Sequence, residues 1–257
     1  MRPARKRHPA AAMVLAVLGL CGLAFAGIGI AGQFRPRTFT TAQKQRIEAW
    51  EIAKRWRTTP KTEIFPAVVR YQLIGQVGAP NSLKLTARRL DIAGQASCAR
   101  AAGASKKLMP LLDRVGCQAV LRATYTDATS SLVLTVGVAV LRNSASAMTV
   151  ALDLTGGVAD GQGAVAHQLV LNPLAVRGTP AATFGFRQRQ LSWVAAAGSY
   201  LVVAAVGYAD GRPHVPVATD GYTFLEMTSL ARGVVGVVAA PLGARPPVPH
   251  CPGGPAC

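Results

Sequence analysis

The chain has 257 residues, of which 50% are hydrophobic and 15% are charged. This composition excludes an intrinsically disordered protein, and the length suits about one ordinary domain behind an N-terminal segment. The formal net charge is +17, but the basic residues are concentrated near the N-terminus. As partners for this charge, a membrane or an acidic envelope polymer is a better candidate than nucleic acid. We favour the simpler interpretation that the basic residues flank a membrane segment and aid solubility.

The N-terminus carries the strongest targeting pattern. Residues 1–9 form a basic tail, and residues 10–32 contain no charged side chain. About 20 apolar residues span a bilayer as a helix, because each residue rises about 1.5 Å. Residues 10–32 are interpreted as a transmembrane anchor or, alternatively, as a signal peptide cleaved after Ala26, since Ala24-Phe25-Ala26 fits a cleavage site. We favour the anchor, because the apolar run continues past Ala26.

This interpretation predicts a single-pass protein of the cell membrane. The tail 1–9 would be cytoplasmic and the long body extracytoplasmic, because large domains that follow a span translocate largely regardless of their charge. The even number of cysteines in the body, discussed below, favours the same orientation.

Residues 33–60 are predicted to form a basic membrane-proximal helix. Thr40 and Gln43 fit a capping box, so the helix should run over about 41–57 and end before Pro60. Two interpretations stay open: the helix lies in the lipid headgroup layer, or it docks on the domain that follows. The first assigns contact with the membrane surface to Lys44, Arg46, Trp50, Lys54, Arg55 and Trp56.

Residues 61–243 are predicted to form an α+β domain. Its first half should contain a strand over 64–73 and a half-exposed strand near 83–88, where apolar and polar residues alternate. A helix over 98–114 is expected to break at Gly103. Two β-rich runs, 117–126 and 132–141, should then form a hairpin.

The second half repeats this pattern of elements. Asn143 should cap a helix that ends at Gly156, and a short strand is expected over 165–171. A hairpin of 190–196 with 200–209 should precede a last helix over 222–240. The two hairpins with their following helices suggest either a repeated ββα unit or two unrelated valine-rich segments. Hairpins followed by helices predict one antiparallel sheet with helices packed on one face, followed by a Pro/Gly-rich tail over 244–257.

Four cysteines lie outside the apolar segment: Cys98, Cys117, Cys251 and Cys257. An even count in an exported body predicts disulfides. A straight helix would separate Cys98 from Cys117 by roughly 28 Å, so that pair requires a bend at Gly103. Pairing of Cys251 with Cys257 is the less certain prediction. No Cys-x2-Cys pair is present, so we expect no zinc or other metal site.

Common catalytic motifs are missing from the sequence. It contains no G-x-S-x-G, H-E-x-x-H, S-x-x-K or P-loop pattern. His214, with Asp210 or Asp220, is the one cluster that suits acid–base chemistry, although Asp210-Gly211 is more simply a turn. We assign no catalytic residue and no cofactor. Whether the chain is an enzyme stays open, and we favour a protein that is not one.

Four segments carry a resemblance to a group of uncharacterised, membrane-anchored actinobacterial proteins. They are IFPAVVRYQL (64–73), QASCARAAG (95–103), VGCQAVLRATYTD (115–127) and RQRQLSWVAAAGSYLVVAAVGYADGR (187–212). The resemblance covers most of residues 40–240 and implies no particular activity. In architecture, a cysteine-bearing α+β body behind one span is also similar to extracellular sensor domains of actinobacterial serine/threonine kinases.

The leading hypothesis is a membrane-anchored extracytoplasmic domain that binds a cell-envelope protein or an acidic envelope polymer. One alternative is an exported hydrolase that uses His214. Another is a surface protein that gathers anionic lipid through its basic helix.

Overall fold

The computed structural model describes residues 39–73, 83–103, 105, 108–157, 163–168, 170–216, 218–219 and 221–246. The predicted tail 1–9 and span 10–32 lie outside the described residues, as do Cys251 and Cys257. The body described below belongs to one compact unit that begins at Lys44.

The core of the body is an antiparallel sheet of seven strands in the order β1-β2-β3-β4-β7-β6-β5. The strands are β1 Val68–Gln72, β2 Lys84–Ile92, β3 Ala119–Asp127, β4 Leu132–Val140, β5 Ala164–Val165, β6 Arg189–Ala197 and β7 Tyr200–Tyr208. The α+β class and the antiparallel sheet are therefore confirmed, with both predicted hairpins. The strand predicted over 165–171 is wrong beyond Val165, because the chain leaves the sheet there.

Six helices accompany the sheet in the part of the chain that the structure describes. They are α1 Thr41–Thr58, α2 Lys61–Ile64, α3 Cys98–Ala102, α4 Leu108–Val115, α5 Ser144–Thr155 and α6 Tyr222–Gly243. A 3-10 turn covers Phe186–Gln188. Residues 64–65, which were predicted to begin the first strand, instead close the short helix α2.

Local capping explains the start of α1 and both ends of α5. The Thr40 backbone N–H donates to Gln43 Oε1 at 2.9 Å, and the Gln43 N–H donates to Thr40 Oγ1 at 3.3 Å, which is the expected capping box. Asn143 Oδ1 accepts from the Ser146 N–H at 2.8 Å. The α5 helix then ends at Gly156, whose φ of 69° is the left-handed conformation that favours glycine.

Helices pack on both faces of the sheet, so the prediction of a single covered face is wrong. Helix α6 packs on one face, across β1, β4, β7 and β6, while α5 packs on the other face against β6 and β7. The reason lies in the central strands: every residue of β3 and β4 is buried. Val- and Ala-rich runs without polar alternation are typical of strands that are covered on both faces.

The two ββα segments do not form a repeat. Strands β4 and β7 pair along their whole length at the centre of the sheet. Helix α5, which follows β4, and helix α6, which follows β7, nevertheless lie on opposite faces. A repeated unit in an antiparallel sheet would place both helices on the same face.

Buried polar side chains attach the irregular segment 170–186 to the sheet. Arg189 donates to the carbonyls of Val170 and Leu171 at 3.0 and 3.1 Å. Arg122 donates to Asn172 O at 2.9 Å, and Thr124 donates to the Leu174 carbonyl at 2.8 Å. Burial lowers the pKa of Arg189 to about 10, so its guanidinium stays protonated at neutral pH. These polar groups satisfy loop carbonyls that would otherwise be buried without partners.

Helix α6 is the one helix in the described part of the chain that is long and apolar enough to cross a membrane. Half of its most apolar stretch is buried inside the body. Met227, Leu230, Val234 and Val238 are fully buried in the core beside the sheet. Its length and apolar character are thus also those of a core helix.

Candidate functional site

Helix α1 is docked on the body through its inner face. Ile52 and Trp56 pack against the core on the α6 side of the sheet. The Arg55 guanidinium donates to the carbonyls of Pro241 and Leu242 at 2.8 and 3.0 Å. These carbonyls lie in the last turn of α6, where a cation is favourable. Of the two interpretations of this helix, docking on the following domain describes its inner face.

The six residues assigned to membrane contact divide between the two faces of α1. Arg55 and Trp56 lie on the docked face, whereas Lys44, Arg46 and Trp50 are exposed. Lys54 Nζ lies 3.6 Å from the centroid of the Trp50 ring and also pairs with Glu51 at 2.9 Å. Arg46, Trp50 and Lys54 are spaced by four residues and therefore share one outward face.

Cys98 and Cys117 are joined in a disulfide, with their Cα atoms 6.3 Å apart. The bend that this pair requires is present, because α3 ends at Gly103, whose φ is 56°. Ser105 then accepts from the Leu108 N–H at 3.2 Å and caps α4. The disulfide links the first residue of α3 to the residues that follow α4.

The structure describes His214 and Asp210 of the cluster proposed for an exported hydrolase, and each has another partner. Asp210 is paired with Arg212, and this pairing lowers the pKa of its carboxyl. The exposed His214 ring has Nδ1 3.0 Å from the Arg189 carbonyl oxygen. Asp220 lies outside the described residues. Within the described ranges, no three His, Cys, Asp or Glu side chains converge as a metal site.

A basic surface that the sequence analysis did not identify lies on the outer face of β1 and β2. In the register of β1 with β2, Arg70 is paired with Thr86. Lys84 and Arg88 lie two residues to either side of Thr86, so both are diagonal neighbours of Arg70 on the same face of the sheet. Arg70, Lys84 and Arg88 are all exposed. Diagonal neighbours across an antiparallel pair lie about 7–8 Å apart. We call these three side chains the basic ribbon.

The basic ribbon faces away from α6. The alternate residues Val69, Tyr71 and Ala87 are buried on the α6 side, so the ribbon points to the opposite face. There the helices pack against β3, β6 and β7 and leave the outer part of β1 and β2 exposed. The basic ribbon is therefore open to a large ligand.

The charge of the basic ribbon is not neutralised locally. None of Arg70, Lys84 and Arg88 makes an ion pair with any residue that the structure describes. In the described strands β1–β3, the acidic residue on the same face is Asp91, which lies beyond a bulge in β2. It makes no ion pair with the basic ribbon. The three like charges therefore give this part of the sheet face a positive potential.

A protective role explains only part of this arrangement. Strand β1 lies at the edge of the sheet, and a charge on an edge strand discourages pairing with another chain. Arg70 is suited to that role. Lys84 and Arg88, however, lie on the inner strand β2, where no unpaired edge needs protection. Edge protection therefore explains Arg70 but not Lys84 or Arg88.

Comparison of the chain with family models, with curated proteins and with solved structures finds no match. The function is therefore inferred from the residues and their arrangement.

Proposed function

We propose that this chain is a membrane-anchored extracytoplasmic domain that binds an acidic cell-envelope polymer through the basic ribbon. The observation that carries the proposal is the cluster of Arg70, Lys84 and Arg88 on one open sheet face without ion-pair partners. The uncharged segment 10–32 supports an anchor. The Cys98–Cys117 disulfide supports an oxidising compartment.

The chemistry suits a polyanion better than a small molecule. The three cations lie along a two-stranded ribbon and not in a cavity, so each would meet a different anionic group of an extended ligand. Such binding is electrostatic and weakens as salt is added. Because the body stands outside the cytoplasm in this proposal, a phosphate-bearing wall polymer is the expected partner.

The test measures binding of the full chain, purified in detergent, to poly(glycerol phosphate) at low and high salt. The variant Arg70→Gln/Lys84→Gln/Arg88→Gln should bind at least about tenfold more weakly, since each basic residue near an anionic surface contributes about 1 kcal/mol. The control Lys61→Gln/Arg114→Gln/Arg187→Gln loses the same charge from exposed positions elsewhere. Equal weakening by the two variants would show that binding depends on the overall charge of the protein and not on the basic ribbon. Equally tight, salt-sensitive binding of single-stranded DNA would redirect the proposal to nucleic acid.

A second role is favoured by the outer face of α1. Arg46 and Trp50 are exposed on this face, with Trp50 49% exposed, and the half-buried Lys54 lies over the Trp50 ring. A tryptophan beside cations is typical of a helix that touches the headgroup layer. We infer that this face rests on anionic lipid, next to the predicted span.

This second role is tested in nanodiscs that contain phosphatidylglycerol with brominated acyl chains. If Trp50 touches the membrane, Trp50→Phe should remove most of the quenching of tryptophan fluorescence in the full chain. Trp193→Phe serves as the control, because Trp193 is buried in the core. Equal quenching before and after Trp50→Phe would contradict contact between α1 and lipid.

A further inference from the structure

One edge of the sheet is formed by strand β1, which pairs with β2 on one side and has no neighbouring strand on the other. The bonds at its two ends show which of its residues face β2. The Arg89 N–H donates to the Ala67 carbonyl at 2.9 Å. The Leu73 N–H donates to the Leu83 carbonyl at 3.2 Å. Because bonded pairs alternate along an antiparallel ladder, every second residue between these two pairs also bonds to β2.

The main chain of β1 therefore presents unpaired groups at its outer edge. Val69 and Tyr71 bond to β2, whereas the N–H and C=O groups of Val68, Arg70 and Gln72 point away from it. None of these outward groups has a hydrogen-bond partner among the described residues. All three residues are exposed, and the apolar Val68 is 52% exposed. An exposed row of backbone donors and acceptors is the structure to which an extended segment of another protein adds as a further strand.

Arg70 determines which kind of segment this edge accepts. The side chain directly opposite Arg70 in an added strand would lie on the same face and close to the guanidinium. A basic side chain there would be repelled, and a second copy of the chain would bring a second basic ribbon to the same face. An acidic side chain would be attracted by Arg70 and, at longer range, by Lys84 and Arg88. The charge that protects the edge from most strands thus favours an acidic one.

The pleat of the sheet predicts a pattern in the partner. Side chains of an added strand alternate between the two faces, and the basic ribbon lies on one face alone. Acidic residues are therefore expected at every second position, with neutral residues between them. All strand pairs that the structure describes in this sheet are antiparallel. In antiparallel addition, the acidic residues are also those whose own N–H and C=O groups bond to β1.

We propose that the outer edge of β1 binds an extended segment of a partner protein, in which acidic and neutral residues alternate, as an added antiparallel strand. Main-chain hydrogen bonds to Val68, Arg70 and Gln72 provide the affinity, and the Arg70 side chain provides the selectivity. This goes beyond the binding of a polymer by the basic ribbon, which requires no main-chain contact.

The probe is a short synthetic peptide in which glutamate and valine alternate, added to the full chain in detergent. Hydrogen exchange is followed by NMR at single amides. The peptide should slow exchange at Val68, Arg70 and Gln72 by at least about tenfold, because their N–H groups become bonded. The amides of Val69 and Tyr71 are bonded to β2 in both states and should change little. Binding of the peptide without protection of the three outward amides would overturn the proposal.

Poly(glycerol phosphate) provides the comparison with the proposed function. It should bind through charge and leave exchange at the outward amides unchanged. Polymer binding without peptide binding would therefore overturn strand addition alone. Peptide binding without polymer binding would leave strand addition in place and contradict the proposed polymer.

Two modified peptides separate main-chain pairing from charge. Methylation of the glutamate amide nitrogens removes the donors that face β1 and should weaken binding at least about tenfold. Methylation of the valine amide nitrogens removes donors that point away from β1 and should have little effect. The two peptides carry the same charge and the same number of methyl groups. Equal binding by both would contradict antiparallel addition to β1.

Two variants of the protein complete the test. Gln72→Pro removes one outward N–H without changing charge or a bond to β2, and edge strands tolerate proline at such positions. It should weaken peptide binding at least about fivefold and leave the melting temperature and polymer binding unchanged. Arg70→Gln should weaken peptide binding and reduce its dependence on salt. Unchanged peptide binding by both variants would overturn the proposal. Protection of the same amides by self-association without peptide would also overturn it, in favour of a second copy as the occupant.

Discussion

The Tyr200 hydroxyl donates a hydrogen bond to the Ile52 carbonyl at 2.6 Å. The same hydroxyl accepts from the Trp56 N–H at 3.2 Å. These two backbone groups are the pair that an uninterrupted α-helix joins to each other. Tyr200 is the first residue of β7 and is fully buried. Its hydroxyl therefore holds α1 against the sheet through hydrogen bonds to the helix backbone.

Replacement of Tyr200 by phenylalanine should loosen α1 without unfolding the body. We expect a loss of about 1 kcal/mol in the free energy of unfolding, because the Ile52 carbonyl and the Trp56 N–H are each other's partners in an α-helix and are not left unsatisfied. Urea denaturation measures this loss, and hydrogen exchange at the Trp56 amide should rise. Tyr208→Phe is the control, with an expected effect below about 0.5 kcal/mol. A cost of several kcal/mol would mean that the helix cannot restore its hydrogen bond.

The capping of α6 by Arg55 is testable against its neighbour Arg57. Arg55→Gln removes a cation from the Pro241 and Leu242 carbonyls and should cost about 1–2 kcal/mol. Arg57 is exposed and lies over the Trp56 ring at 4.7 Å. Its replacement by glutamine should cost no more than about 0.5 kcal/mol. Denaturation of the two variants side by side gives the difference, and equal costs would contradict the capping role.

Two glycines in α6 should respond to alanine with opposite signs. A Cβ atom at Gly233 would lie 2.3 Å from the Tyr71 Cβ, so Gly233→Ala should destabilise the fold by about 1–3 kcal/mol. A Cβ atom at Gly236 would meet nothing within 4 Å. Gly236→Ala should therefore stabilise by about 0.5–1 kcal/mol, through the higher helix propensity of alanine. Melting temperatures of the two variants provide the measurement, and destabilisation by both would show that α6 packs differently.

Loss of the disulfide should have a measurable cost. Cys98 and Cys117 are separated by 19 residues in sequence, and opening a loop of that size costs about 3 kcal/mol by loop entropy. Cys98→Ser/Cys117→Ser should lower the free energy of unfolding by that amount. Reductant should destabilise the natural protein equally and leave the double variant unchanged. A further loss in the variant upon reduction would point to another disulfide.

Local patterns predicted the elements well, because their causes are local. The capping residues Thr40 and Asn143, the break at Gly103 and the residue alternation in β2 act over a few positions. The two-sided burial of the sheet was missed, although the unbroken apolar runs of β4 and β7 are its cause. Burial of both faces becomes visible only once these strands pair at the centre of the sheet.

The candidate surfaces depend on contacts that one segment alone does not reveal. Arg70 and Lys84 are distant in sequence, and only the register of β1 with β2 places them on one face. Arg55 and Trp56 resemble membrane-contact residues in composition. Their docking on the body depends on the position of Tyr200 and of the last turn of α6.

We propose that the body acts outside the cytoplasm as a disulfide-bonded binding domain. The most direct test isolates membranes from cells that make the full chain, alkylates free thiols without reduction, and digests the protein for mass spectrometry. We expect a linked peptide pair that contains Cys98 and Cys117, with neither residue alkylated. Recovery of both cysteines in alkylated form would contradict the extracytoplasmic location and return the basic ribbon to a cytoplasmic partner such as nucleic acid.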